Sequence, residues 1–532
     1  MIASIFLSFF FLFQTQSVLE TPTPTPTPVS VMRPQTSPIP MVTPTPYPPI
    51  TVSVGATPKP TPTPMEEPPV VTRHSIRVGN LQLNYKVTTG FMPIKNKEGE
   101  TEAKIFFMAY TADRVRDASK RPLMFSFNGG PGSASVWLHL GALGPKRVKM
   151  LDDGMMPPPP YELEDNQQTW LTDTDLVFID PVGTGYSRVV DPKKADKFFS
   201  VNGDLESVGE FIRMYLGRYE RWSSPLFLVG ESYGTTRASG LSNVLFEKGI
   251  GLNGILLIST VMNFQTIRFA DGNDLPYPLI LPSYTATAWY HKRLPAQLQQ
   301  KPLRDVLNEV ENWVTNEYMP ALMKSDRMTA PEKQNIIEKF SLYTGLSRKF
   351  IEQNNLRVDL GSFNKELLRD QNRTTGRLDS RFIGIDNMTA GENPDFDPSL
   401  TAIRPPYTSA FNDYVGRNLN FKTDLEYYIL GGGIGNWNWN VNNGYANTAV
   451  PLKNAMAKNP YMKIFVASGY YDMATPYFAA EYTLAAMNLE PPLRRNVSVS
   501  YYEAGHMMYI EKNSLRKLKE DAAAFIQKSI QK

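Results

Sequence analysis

The sequence predicts an α/β fold, a mostly parallel central sheet flanked by helices, with an inserted, mainly helical cap. Three observations lead there. Short apolar runs, each closed by glycine, aspartate or serine, recur between helical or irregular stretches, which is how buried parallel strands read. The pattern breaks between about 263 and 425, where charged, helix-rich sequence replaces it, and then resumes. At the end of one run, "LVGESYGTTRASG" sets Ser232 between Gly230 and Gly234 at a strand-to-helix join. A turn that tight excludes flanking side chains and thrusts the serine hydroxyl above the sheet.

The elements follow in chain order. Residues 1–20 begin with an apolar run over 2–13, too short to span a bilayer comfortably. It reads as a signal peptide or N-terminal anchor, although the usual basic start is missing. Residues 21–66 are a Thr/Pro-rich, disordered linker. Proline favours polyproline II there, and at about 3.1 Å per residue the tract would reach on the order of 130 Å. Residues 67–262 form the first part of the core. "HSIRVGNLQLNYKVTTG" and "AKIFFMAYTA" read as an antiparallel start, and "RPLMFSFNGG", "DLVFID", "PLFLVG" and "GLNGILLIS" as buried strands. Residues 263–425 are the helical cap, with stretches such as "PLRDVLNEVENWVTNEYMPALM". Residues 426–532 resume the core with "YMKIFVASG".

Composition narrows the chemistry. Lys and Arg number 55 against 52 Asp and Glu, so no nucleic-acid partner is expected. The absence of cysteine excludes disulfides, thiolate metal sites, a cysteine nucleophile and a lipidated cysteine. No metal-ligand cluster and no phosphate-binding glycine loop emerges, so neither a metal nor another cofactor is expected. Any histidine chemistry must choose among His74, His139, His291 and His506.

A serine nucleophile needs a base, and the base an orienting acid. Asp472, in "VASGYYDMATP", follows a strand-like run, and His506, in "VSVSYYEAGHMMYI", follows another. The order Ser232, Asp472, His506 is that of the α/β-hydrolase fold. His139 sits in an apolar setting, His291 in the cap and His74 near the linker, which makes them weaker bases. The glycine-rich "FSFNGGPGSAS" follows a strand at the place that supplies one oxyanion donor; the N–H of Tyr233 would be the second.

"FNGGPGSAS", "FIDPVGTGYSR", "LVGESYG", "SGYYDMATP" and "AGHMMYI" together resemble the serine carboxypeptidase family of secreted α/β-hydrolases, most of all its bacterial branch. The resemblance implies a peptidase that releases C-terminal residues from peptides through an acyl-enzyme, exported to the cell envelope or beyond. It implies Ser232 as nucleophile, His506 as base and Asp472 as its partner. Gly130 and Tyr233 supply the oxyanion hole, and Asn128, Gly129 and Glu231 hold the substrate's terminal carboxylate. Glu231 donates only when protonated; alternatively it pairs with Arg237, six residues on. Peptides are the implied partners, with no membrane partner beyond the N-terminal anchor.

There are departures. The eukaryotic pattern places a second glutamate where this chain has Ala142. Either a lone Glu231 ionises more readily, or Lys146 or Arg147 takes over carboxylate recognition. Ser133 replaces the usual cysteine, and Met507 and Met508 replace a proline-containing turn. Trp437 and Trp439 either line the substrate groove or belong to a packed polar loop. The same scaffold also serves an esterase or acyltransferase, and a non-catalytic exported binding protein is a further alternative.

Overall fold

The computed structural model describes residues 67–113 and 117–531; the expected leader and Thr/Pro linker lie outside them. Nine strands make the run of the central sheet. They are β1 (Val70–Val78), β2 (Leu81–Lys95), β3 (Thr101–Ala112), β4 (Leu123–Phe127), β5 (Asp175–Ile179), β6 (Leu226–Ser232), β7 (Gly254–Thr260), β8 (Lys463–Gly469) and β9 (Val497–Tyr502). Their spatial order is β1-β2-β3-β5-β4-β6-β7-β8-β9, and a short tenth strand, Arg188–Val189, pairs with β3. The first three strands and the β3–β5 pair are antiparallel. From β5 to β9 every pair is parallel. This is the mixed, mostly parallel sheet the apolar runs predict.

Burial of both faces explains why the parallel strands read as continuous apolar runs. Successive residues still alternate between faces. Met124, Leu176, Phe178 and Phe227 enter one core, while Phe125, Val177, Leu226 and Leu228 enter the other. Helices α1 (Val201–Arg218) and α2 (Tyr233–Glu247) cover the second face. Beyond them come α3 (Pro276–Tyr290), α4 (Pro398–Arg417) and α5 (Lys512–Ile530). Packing within 263–425 is of two kinds. Tyr284 of α3 joins Val310, Trp313 and Phe340 in an apolar cluster of its own, which also takes in Met473 from the loop after β8. Tyr407, Phe411 and Tyr414 of α4 instead share the first core with Leu515 and Leu518 of α5.

One buried ion pair locks α2 to its surroundings. Arg237 donates from Nε to both carboxylate oxygens of Asp204 on α1, at 3.0 and 2.8 Å, and from Nη1 to the backbone O of Asn128 at 2.6 Å. Both side chains are buried. Arg237→Met would leave the Asp204 carboxylate buried and unpaired. Urea denaturation should show a loss of about 3–5 kcal/mol. Arg213→Met, which breaks only an exposed pair with Glu210 on α1, should cost no more than about 0.5 kcal/mol.

Candidate active site

Ser232 ends β6 and caps α2 with φ 60° and ψ −130°. A non-glycine residue held there stores roughly 1–3 kcal/mol of backbone strain. The surrounding glycines make the turn possible. A Cβ on Gly230 would lie 2.1 Å from the Gly234 O, and one on Gly234 would lie 2.8 Å from the Phe127 O. A Cβ on Gly129 would lie 2.4 Å from the Tyr233 N. The 128–130 turn after β4 and the first turn of α2 therefore meet backbone to backbone. Tyr233, as the first residue of α2, has an N–H without an intrahelical acceptor. Thr236 Oγ1 donates to the Val261 O at 2.7 Å, fixing that turn to the loop after β7.

The loops after β8 and β9 bring Asp472 and His506 together. His506 Nδ1 lies 2.7 Å from Asp472 Oδ2. The N–H groups of Ala474 and Thr475 donate to Asp472 Oδ1 at 2.8 and 2.9 Å, and Thr475 Oγ1 donates to Oδ2 at 2.7 Å. The carboxylate is thereby held with its acceptor capacity largely used. The histidine backbone is also fixed. Its N–H donates to the Leu378 O at 2.6 Å, and its O accepts from Ser259 Oγ at 2.6 Å. Ser259 sits at an irregularity near the end of β7 with φ 52°. Burial opposes charging of the His506 ring, but the adjacent Asp472 and then the Glu231 charge outweigh it and raise its pKa above the usual value. Ser232 and His506 line one cavity of about 170 Å³, together with Asn128, Gly129, Gly130 and Glu231. Ser232 Oγ and His506 are not hydrogen-bonded in it; such bonds often tighten only with substrate bound.

Asn128 Nδ2 donates to Glu231 Oε1 at 2.9 Å, and Asn128 Oδ1 accepts the Leu138 N–H at 3.0 Å. Glu231 is buried beside the Tyr509 phenol, and its Oε2 has no hydrogen-bond partner among the described residues. Burial pushes its pKa up to about 7, against the opposing charge of His506. The lone glutamate thus ionises less readily than an ordinary carboxyl. The expectation that Lys146 or Arg147 takes over carboxylate recognition fails. Lys146 pairs with Asp165, Arg147 pairs with Glu164 across a small antiparallel ribbon, and neither lines the cavity. Tyr509 and Tyr407 crowd the turn that carries Ala142, where a Cβ on Gly141 would lie 2.4 and 2.6 Å from their rings and hydroxyl. Arg237 serves Asp204, not Glu231.

The residues 79–518 match the family model described as serine carboxypeptidase. The chain belongs to the serine carboxypeptidase family. Among curated relatives, serine carboxypeptidase S10 family member 1 of Dictyostelium discoideum is 28% identical over 185 residues, 34% of this chain and 39% of that protein. The pheromone-processing carboxypeptidase KEX1 of Saccharomyces cerevisiae is 32% identical over 156 residues, 27% of this chain and 20% of that protein. The matched segments thus span well under half of these relatives. The crystal structure of the yeast prohormone-processing carboxypeptidase KEX1 superposes with a TM-score of 0.51 at 16% identity, covering 83% of this chain and 91% of that one. That likeness concerns the fold, an α/β-hydrolase.

The other histidines of this serine carboxypeptidase family member stand elsewhere. His139 is buried against the Tyr110 hydroxyl, and burial lowers its pKa to about 3. His291 contacts the Ser380 O and His74 the Thr72 Oγ1. Trp437 and Trp439 do not line this cavity; they pack edge-on against the Tyr233 ring at 5.4 and 6.0 Å. Asp180 of "FIDPVGTGYSR" accepts the Ser135 N–H at 2.8 Å and so anchors the loop after β4.

Sequence reasoning missed a cluster from "GRLDSRF". Leu378 holds the His506 N–H, and Asp379, paired with Arg381, accepts the Gly505 N–H at 3.0 Å. Arg377 lines the cavity itself. The dense Arg-Asp-Arg spacing was the available signal, but nothing in it points to a loop more than a hundred residues away.

The Glu231 titration has a consequence for stability. Its folded pKa lies above the ordinary carboxyl value, so its contribution is fully present below about pH 4.5 and is lost as pH rises through about 7. Glu231→Gln does not titrate. Denaturation at pH 5 and pH 8 should show the variant gaining on the wild type by up to about 3 kcal/mol at the higher pH.

Proposed function

We propose that the protein is an exported serine carboxypeptidase, acting in the cell envelope or outside the cell, that hydrolyses the C-terminal peptide bond of peptides. The observation that carries this reading is the shared cavity, in which a strained serine, an Asp-held histidine and a neutral Asn–Glu pair face one small space. Peptide binds with its terminal carboxylate against the Asn128 amide, the Gly129 N–H and the protonated Glu231 carboxyl. Ser232 Oγ attacks the last peptide carbonyl while His506 Nε2 takes its proton. The hydrogen bond to Asp472 keeps the other ring nitrogen protonated and stabilises the imidazolium. The Gly130 and Tyr233 N–H groups receive the developing oxyanion. His506 returns the proton to the leaving amine, and the C-terminal residue departs, leaving an acyl-serine. Water, deprotonated by His506, then releases the shortened peptide and restores Ser232. The scheme needs only side chains and backbone N–H groups of this chain.

The burial of Glu231 supports an exopeptidase over a general esterase, because a neutral carboxyl beside a neutral amide suits a carboxylate partner and has no use against a simple ester. At pH 6, amino-acid release from an N-blocked dipeptide with a free C-terminus should exceed release from its amide by at least about tenfold. Ser232→Ala should lower kcat/KM at least about 10⁴-fold. Ser232-dependent hydrolysis confined to simple esters would indicate the esterase instead.

A further inference from the structure

A second cleft, of about 310 Å³, opens on Ser232, Tyr233 and Gly130 without reaching Glu231 or His506. With the leaving residue in the 170 Å³ cavity, as the proposed function has it, this cleft receives the residue that supplies the acyl group. Its walls include the apolar side chains of Phe264, Ile267 and Met473, and two cations, Arg268 and Arg377. No aspartate or glutamate lines it. Neither guanidinium has a hydrogen bond or ion pair with another described residue, whereas Arg357 is held by Asp274 through bonds of 2.6 and 2.7 Å. Arg268 is held instead by rings, its guanidinium 5.6 Å from the Phe264 centroid and 5.3 Å from that of Trp439.

These positions leave a charge imbalance at the mouth of the nucleophile. Burial first, and the neighbouring Arg377 second, hold the Arg268 guanidinium below its ordinary pKa, which marks two like charges close enough to repel. Nothing on the cleft wall compensates them. A carboxylate entering the cleft would, and the aromatic platform under Arg268 positions that donor in advance, so little ordering remains to be done on binding. Arg377 borders both cavities, but Arg268 borders only this one, which centres the positive field on the acyl side.

We propose that this cleft selects an acidic side chain, Asp or Glu, at the residue on the acyl side of the scissile bond.

The test compares N-blocked Glu-Leu with Gln-Leu, which differ at the acyl residue only in charge, on the full chain at pH 6 and low salt. The Glu substrate should have a kcat/KM about tenfold higher or more, a difference of the size one modest charge interaction provides. Arg268→Gln and Arg377→Gln should each shrink the Glu/Gln ratio, and Arg268→Glu should turn the preference toward Lys-Leu. A ratio near one, or a ratio the variants do not change, overturns the proposal. Equal losses on both substrates would mean that the arginines hold the terminal carboxylate, which also overturns it. The p-nitrophenyl esters of N-blocked Glu and Gln separate this proposal from the carboxypeptidase reading. A Glu preference on the esters with no dipeptide cleavage supports the acidic cleft and rejects the exopeptidase. Equal ester rates reject the cleft assignment whatever the dipeptides do.

Discussion

The close approach of two backbone segments governs this site. The 128–130 turn and the first turn of α2 touch where a single methyl group on Gly129, Gly230 or Gly234 would collide with main-chain atoms. Because no side chain intervenes, the N–H of Tyr233 and the glycines of the turn share one small space with Ser232. The contact is then secured by charge: Arg237 grips the Asn128 carbonyl while Asp204 neutralises the cation in the interior. Strain at Ser232 persists because β6, α2 and the β4 loop together leave it no alternative conformation.

Electrostatics around this contact is divided between two groups with different tasks. His506 has a full carboxylate as its hydrogen-bond partner and is held ready to accept a proton. Glu231, which lines the same cavity, has the Asn128 amide and the Tyr509 phenol beside it, and burial raises its pKa to about 7. Each charge favours the opposite charge on the other, so the two titrations are coupled. The proposed reaction uses the other combination, a neutral base beside a neutral acid, so this mutual attraction of charges works against the active pairing of protonation states. Tyr509 and Tyr407 both feel the Glu231 charge, and both crowd Gly141, the residue before Ala142.

Much of the fold was legible because buried parallel strands are apolar on both faces, and β4 to β8 stand out as short runs ending at loops. Ser232 and Asp472 stand at the ends of two such runs, β6 and β8, whereas His506 follows β9, an alternating and only partly buried strand. The partners that hold them were not legible. Ser259 looks like any residue of "ILLIST", yet it bonds the His506 carbonyl from an irregular strand end. Leu378 and Asp379 reach the histidine loop from more than a hundred residues away, and no local periodicity records such a contact. Lys146 and Arg147 misled because their charges are satisfied across a ribbon whose second strand, Leu163–Asp165, carries little apolar signal of its own. The ionisation of Glu231 was not legible either, because its burial, not its neighbours in sequence, sets it.

The central claim is that a neutral Glu231 reads the substrate's terminal carboxylate. It is tested most directly by the pH dependence of kcat/KM on a free-acid N-blocked dipeptide, measured from pH 4 to 9 for the wild type and Glu231→Gln. Since the carboxyl donates only when protonated, the wild type should lose activity as pH rises through about 7. The acid limb, set by His506, should remain in both proteins. Glu231→Gln should lack the alkaline decline. Coincident profiles on the alkaline side would contradict the account.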